Sequence, residues 1–208
     1  MLLTSVVVGA TYGVVARQAG LSVFEASASS FIVFAGASQF ATLELLKGGA
    51  NSLEIALAIA LINARHALMA AALRPFLSRA PLVQRLGLGY ILTDEAFALG
   101  IGWFRRERRE LSYYAIFGGA LWLCWNISTI AGAALGTFIG HPERFGVDFA
   151  ITAVFVAIVA TSARHRADLA IALAAAVVAA ALKLAGASTL AVVIAGAAAP
   201  LLALRSRR

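Results

Sequence analysis

Apolar residues run along this chain in long blocks, and the polar positions between them gather into short clusters. Residues 2–16, 22–46, 53–73, 113–139, 147–163, 169–184 and 188–204 are each dominated by Ala, Leu, Val, Ile and Phe. Most of these blocks approach the roughly 17–25 residues that an α-helix needs to cross a hydrocarbon core about 30 Å thick. The period-2 alternation of transmembrane strands does not occur in them. A backbone in lipid must satisfy its own hydrogen bonds, which leaves the helix as the solution. One further block, residues 88–104, carries Thr93-Asp94-Glu95, and two adjacent carboxylates make an ordinary lipid-facing span unfavourable. The prediction is an all-α, polytopic integral membrane bundle. It has six to seven hydrophobic segments in one domain over residues 1–208, with residues 88–104 folded back as a re-entrant hairpin.

Composition strengthens that reading. Hydrophobic residues make up 62% of the 208 and charged residues 13%, with a mean hydropathy of +0.89, whereas a soluble domain is roughly one quarter charged. The net charge of +7 does not point to nucleic acid, because the basic residues sit at the ends of apolar blocks, where they orient membrane helices. The connectors at Arg17, residues 74–85, residues 105–109, residues 164–166 and the C-terminus hold most of the 17 basic residues. Placing all of them in the cytoplasm puts both flanks of residues 88–104 on one face, which is the basis for the hairpin, and makes the C-terminus cytoplasmic. The first residues show neither the basic stretch nor the cleavage site of a signal peptide. Cys124 stands alone, so neither a disulfide nor a cysteine metal site is expected. The absence of a P-loop motif leaves an ion gradient as the expected energy source. No cofactor or metal is called for.

Three polar clusters interrupt the apolar blocks: Phe34-Ala35-Gly36-Ala37-Ser38-Gln39-Phe40-Ala41, Asn63-Ala64-Arg65-His66 and Thr93-Asp94-Glu95. An arginine in mid-segment costs about 2.5–3.5 kcal/mol on insertion scales and usually marks a function or a charge pair. A zwitterion entering a low-dielectric pathway needs a partner for each charge. Arg65 suits the carboxylate and Asp94 or Glu95 the ammonium. Gly36, Ser38 and Gln39 suit an unwound helix that presents backbone groups to substrate, and Asn63 joins this candidate set. His66, Asp94 and Glu95 are candidates for coupling to protons. Blander readings stand beside these. Arg65 pairs with Asp94 or Glu95 as a structural lock, His66 bonds a backbone carbonyl, and Gln39 is interhelical glue. Trp125 and Asn126 anchor packing, while Gly132 and Gly136 form a close-approach face. Two other function classes also fit. Ser38, His66 and Asp94 contain the elements of a hydrolytic triad, although no nucleophile elbow accompanies Ser38, and a non-transporting scaffold gives no reason to hold charges at depth.

The chain resembles the AzlC family, the large subunits of branched-chain amino acid exporters. Phe34 to Phe40, Asn63-Ala64-Arg65-His66 and Leu92-Thr93-Asp94-Glu95-Ala96-Phe97 are similar to its three signatures. Gly20-Leu21-Ser22 and Leu135-Gly136-Thr137-Phe138-Ile139-Gly140 fit the same pattern. The resemblance implies export of leucine, isoleucine, valine and similar amino acids across the inner membrane, together with a small membrane subunit of the AzlD type. Family members usually carry further apolar residues, often with proline, before the point where this chain begins, so the first helix is expected to start upstream.

Overall fold

A computed structural model describes residues 1–106, 110–138 and 166–184, with isolated positions 156 and 160. Every regular element among the described residues is a helix: α1 (Leu2–Gln18), α2 (Val23–Val33), α3 (Gly36–Lys47), α4 (Ser52–Leu77), α5 (Leu82–Tyr90), α6 (Asp94–Phe104), α7 (Leu111–Gly136) and α8 (Arg166–Leu184). The block at residues 147–163 apart from positions 156 and 160, the block at residues 188–204, and the C-terminal basic residues lie outside the described residues.

Two helix ends share one punctuation. Gly20 closes α1 at φ +91° and Gly49 follows α3 at φ +75°, left-handed conformations that favour glycine. Two residues beyond each, Ser22 and Asn51 open the next helix with a capping box, Ser22 with Glu25 and Asn51 with Glu54. Each box satisfies backbone donors reciprocally at a helix start. Glu25 and Glu54 are thereby explained as helix-terminal charges.

Helices α1 and α7 pack side by side in the same direction. A Cβ added at Gly132 would stand 2.0 Å from the Ala10 carbonyl oxygen, one at Gly13 would stand 2.2 Å from that of Thr129, and Gly136 faces Val14 and Arg17. These glycines let two backbones meet, the packing role expected of Gly132 and Gly136.

The block at residues 22–46 is broken and folded back. Phe34 adopts φ 38°, ψ 47° and Ala35 is extended, between α2 and α3. In one straight helix Ser30 and Gln39 would lie about 13.5 Å apart along the axis. Instead Gln39 Nε2 donates to Ser30 Oγ at 3.0 Å. Gly36 lies on the Trp125 ring, and Phe40 meets Tyr12 edge-on at 5.5 Å. Helix α3 thus returns toward the end where Arg17 and Gly136 meet, the end from which α2 arrived.

The block at residues 88–104 makes the second hairpin, entering from the opposite end. Asp94 at the start of α6 pairs with Arg65 on α4, and Phe104 at its end stacks on Phe76 at 5.2 Å, so α6 runs in the direction of α4. Trp103 stacks on Tyr113 at 3.9 Å, at the start of α7. Helix α5 sets out from this same end after a short turn, and Ile91 beside Gly118 and Tyr90 beside Trp122 mark the tip further along α7. The expected fold-back of residues 88–104 is therefore present.

Two boundaries and one sidedness differ from expectation. Helix α4 continues through Pro75 to Leu77. The proline falls in the last turn, where it removes one hydrogen bond, and Phe76 gains its stack on Phe104. Residues 82–85, part of the expected connector at residues 74–85, belong to the amphipathic helix α5, which buries Leu88 and exposes Arg85. Arg17 is at the end of the fold opposite to Arg74, Arg79, Arg85, Arg105 and Arg106, so these residues cannot all face one side. Breaking residues 22–46 into a hairpin reverses the side on which α1 ends.

Helices α4 and α7, 26 residues each, are long and apolar enough to cross a membrane. On α4, Leu53 and Leu68 are 68% and 75% exposed. Such surface is a liability in water and the ordinary condition in lipid.

Candidate functional site

The two hairpin tips meet at the middle of α7. Tyr90, at the end of α5, donates its hydroxyl to the Phe31 carbonyl near the end of α2. It accepts from Trp122 Nε1 at 3.0 Å, while Phe31 packs edge-on against Trp122 at 5.1 Å. Neither Tyr90 nor Trp122 belongs to a polar cluster, so neither is distinguishable in sequence from an interfacial aromatic.

Above that meeting point the first tip is locked by a buried polar network. Ser30 Oγ donates to Thr129 Oγ1 at 3.1 Å and accepts from Gln39 Nε2 and from Trp125 Nε1. The Trp125 N–H is shared with Gln39 Oε1 at 3.2 Å, and Thr129 donates onward to the Gly9 carbonyl at 3.3 Å. Tyr12 stacks on Trp125 and its hydroxyl is 2.6 Å from Ser29 Oγ. A fully satisfied network in a low-dielectric interior fixes one geometry. Gln39 is thus the glue between helices, and Ser38, fully buried, donates to the Ala35 carbonyl inside the tip.

The second tip carries the charge. Arg65 Nη1 lies 2.6 Å from Asp94 Oδ2, with both side chains partly exposed. Arg65 stands near the centre of α4, about 20 Å from either end at 1.5 Å per residue. Thr93 caps α6 by accepting from the Ala96 N–H at 3.2 Å. Asp94 and Glu95 occupy the first turn, where carboxylates are favoured by the helix dipole. His66 Nδ1 lies 3.2 Å from the Asn63 carbonyl. Asn63 Oδ1 and Arg65 Nε are buried and have no hydrogen-bond partner among the described residues.

The predicted residues therefore divide into two groups. Asn63, Arg65, His66, Asp94 and Glu95 belong to the charged tip and the facing stretch of α4. Gly36, Ser38 and Gln39 belong to the closed tip against Trp125. The elements of a triad are each engaged elsewhere: Ser38 with Ala35, His66 with Asn63 and Asp94 with Arg65. Among the described residues no group of His, Cys, Asp and Glu is arranged to hold a metal.

The family model for the AzlC protein matches residues 1–139, which contain both hairpins, their tips and α7. The chain belongs to the AzlC family. It is 29% identical to the inner membrane protein YgaZ of Escherichia coli, over 81% of this chain and 71% of the relative. It is 32% identical to an uncharacterized membrane protein of Archaeoglobus fulgidus, over 75% of this chain and 68% of the relative. It is 26% identical to the branched-chain amino acid transport protein AzlC of Bacillus subtilis, over 72% of this chain and 59% of that protein. No solved structure matches the chain. These relatives are named as membrane or transport proteins, in keeping with the long apolar α4 and α7.

Proposed function

We propose that this AzlC-family chain is the large subunit of a secondary transporter that exports branched-chain and similar aliphatic amino acids. The observation that carries the reading is the Arg65–Asp94 pair, held near the middle of α4 and at the start of a half-helix. The unpartnered Asn63 Oδ1 and Arg65 Nε lie beside it in sequence. An ion pair of this kind can open to a zwitterion, with Arg65 taking the carboxylate and Asp94 or Glu95 the ammonium, and Asn63 completing the polar contacts. In this reading His66, Asp94 and Glu95 couple exchange to protons. Gly36, Ser38 and Gln39 act by holding the facing tip. In this reading both hairpins re-enter a multi-pass bundle in the inner membrane. The end bearing Arg74, Arg79, Arg85, Arg105 and Arg106 is cytoplasmic, because basic residues are retained on that side. A small AzlD-type membrane subunit completes the transporter.

The test is leucine and valine counterflow in proteoliposomes with and without the small subunit, with lysine as control, alongside membrane abundance of Arg65→Ala, Asp94→Asn and Glu95→Gln. Binding predicts variants that reach the membrane and lose export, with no rescue in the double variants. A structural lock predicts low abundance, partly restored when the carboxylate is also neutralised. Wild-type export by all three single variants would remove the pair from the mechanism.

A further inference from the structure

Below the charged tip, an open cavity of about 170 Å³ lies between α4, α5 and the start of α7, with an almost wholly apolar surface. Ala70, Leu73 and Leu77, on one face of α4, line it opposite Leu88, Gly89 and Leu92. The two walls are antiparallel, because α4 runs toward the basic end of the fold and α5 leaves from it. Arg74 near the end of α4 and Arg85 near the start of α5 therefore border the cavity at that end, while Ala70 and Leu92 lie deeper. Both arginines are exposed and form no ion pair among the described residues. Long basic side chains commonly cover apolar surface with their stems and keep the charge outside. The outer face of α5 exposes Leu82, Val83 and Leu86, the surface of a helix that stands in hydrocarbon. A Cβ added at Gly89 would meet nothing within 4 Å, so the wall at that position is open.

We infer that this groove holds part of one acyl chain of an anionic phospholipid, whose phosphodiester sits outside it against the Arg74 and Arg85 guanidiniums. The inference rests on the membrane location and is independent of what the protein transports. Apolar walls accept hydrocarbon and offer nothing to a charged group, which leaves the headgroup at the mouth. Residues 70 to 77 span about 10 Å along α4, and an apolar cavity of about 150 Å³ accommodates benzene. The groove thus takes a segment of about six carbons, and the rest of the chain continues into the bilayer. The preference for an anion follows from charge complementarity. Two exposed guanidiniums stand at the mouth with no carboxylate in the lining, and the guanidinium fork matches phosphate geometry. A zwitterionic headgroup would bring its own cation to the same place.

Native mass spectrometry of the full chain in detergent, titrated with phosphatidylglycerol or phosphatidylcholine of identical acyl chains, tests the site. Phosphatidylglycerol is expected to bind about tenfold or more tightly, the scale of one charge-assisted hydrogen bond. Arg74→Gln/Arg85→Gln should remove that preference. Arg105→Gln/Arg106→Gln takes the same charge from the same end but outside the groove, and should keep it. Gly89→Leu fills the groove and should weaken phosphatidylglycerol binding, whereas Gly87→Leu, equally open but outside the lining, should not. Both leucines favour the helix over glycine, and an unchanged thermal midpoint separates a filled groove from a damaged fold. Soluble glycerol phosphate should not compete. Equal binding of the two lipids, equal losses in the two double arginine variants, or no effect of Gly89→Leu would overturn the inference. Competition by glycerol phosphate would overturn it in favour of a free phosphate at the arginines. A lipid-free dimer that Gly89→Leu dissociates would overturn it in favour of a second copy of the chain.

Discussion

The two helical hairpins have the same outline and opposite characters. The α2–α3 hairpin carries no charge at its tip, and buries Ser30, Ser38 and Gln39 in a hydrogen-bonded network against Trp125 and Thr129. The α5–α6 hairpin places Asp94 and Glu95 at its tip, meets α4 there through a partly exposed ion pair and at its far end through the Phe104–Phe76 stack, and leaves a cavity along its first arm. A break whose polar groups are all paired within the fold has one arrangement and serves as a fixed wall. At the charged tip the ion pair itself adds little, since solvent-accessible pairs contribute about 0–1 kcal/mol, and the Tyr90 bridge and the Phe104 stack hold the hairpin. The charged pair is therefore the contact that can open at low cost, with the α2–α3 hairpin as its reference surface.

The strongest challenge to this comparison is topological and all-or-none. In a Cys124→Ala background, Ala19→Cys and Lys47→Cys should react with an impermeant maleimide from one face of the membrane, and Ser78→Cys and Arg106→Cys from the other. Labelling of Lys47→Cys and Ser78→Cys from the same face would leave α4 unable to separate the hairpins.

Next in size is the closed tip. Gln39→Ala removes a buried side chain and leaves Ser30 and Trp125 with unmade bonds, and should lower stability by about 2–4 kcal/mol. The readout is the thermal midpoint of purified protein in detergent, and an unchanged midpoint would show that the network does not hold the α2–α3 hairpin.

Tyr90→Phe cuts the bridge between the tips and should cost about 1 kcal/mol by the same measurement. Hydrogen exchange should then rise at residues 91–93 and stay unchanged at residues 34–35. Equal increases at both would mean that the hairpins move together.

The smallest effect on stability is expected from Asp94→Asn, within about 1 kcal/mol of wild type because the pair is partly exposed, combined with loss of leucine efflux. A fall as large as that of Gln39→Ala would place the charged tip among the structural elements and erase the distinction between the hairpins.

Part of this architecture is written in local patterns. Ser22 with Glu25 and Asn51 with Glu54 announce two helix starts, and the glycines before them announce the turns. Arg65 and the Asp94-Glu95 pair declare themselves by their cost in apolar blocks, and the fold-back of residues 88–104 follows from basic residues on both flanks. Gly132 and Gly136 likewise reveal a packing face through their spacing, though not which helix it receives.

An unwound stretch is expected at Gly36 to Gln39, but those residues form the first turn of α3 and the break falls at Phe34 and Ala35, so its position and the reversal it causes are not legible. Without that break Arg17 falls on the wrong side, since a hairpin and a span differ in where the chain emerges and not in composition. Helix α5 was hidden for another reason: it runs for only nine residues and contains Gly87 and Gly89, a length and composition that also suit a loop.

Sequence alone determined the helical membrane class, the family likeness and the residues that bear charge inside apolar blocks, because each depends on local chemistry or on the cost of a side chain in lipid. Tertiary structure decided that residues 22–46 fold back, that Gln39 is walled into a network while Asp94 stays accessible, that Tyr90 joins the two tips, and that Tyr114 lines a cavity. Those outcomes rest on contacts such as Ser30 with Thr129 and Arg65 with Asp94, between residues that are distant in the chain and acquire their environment only when the helices pack.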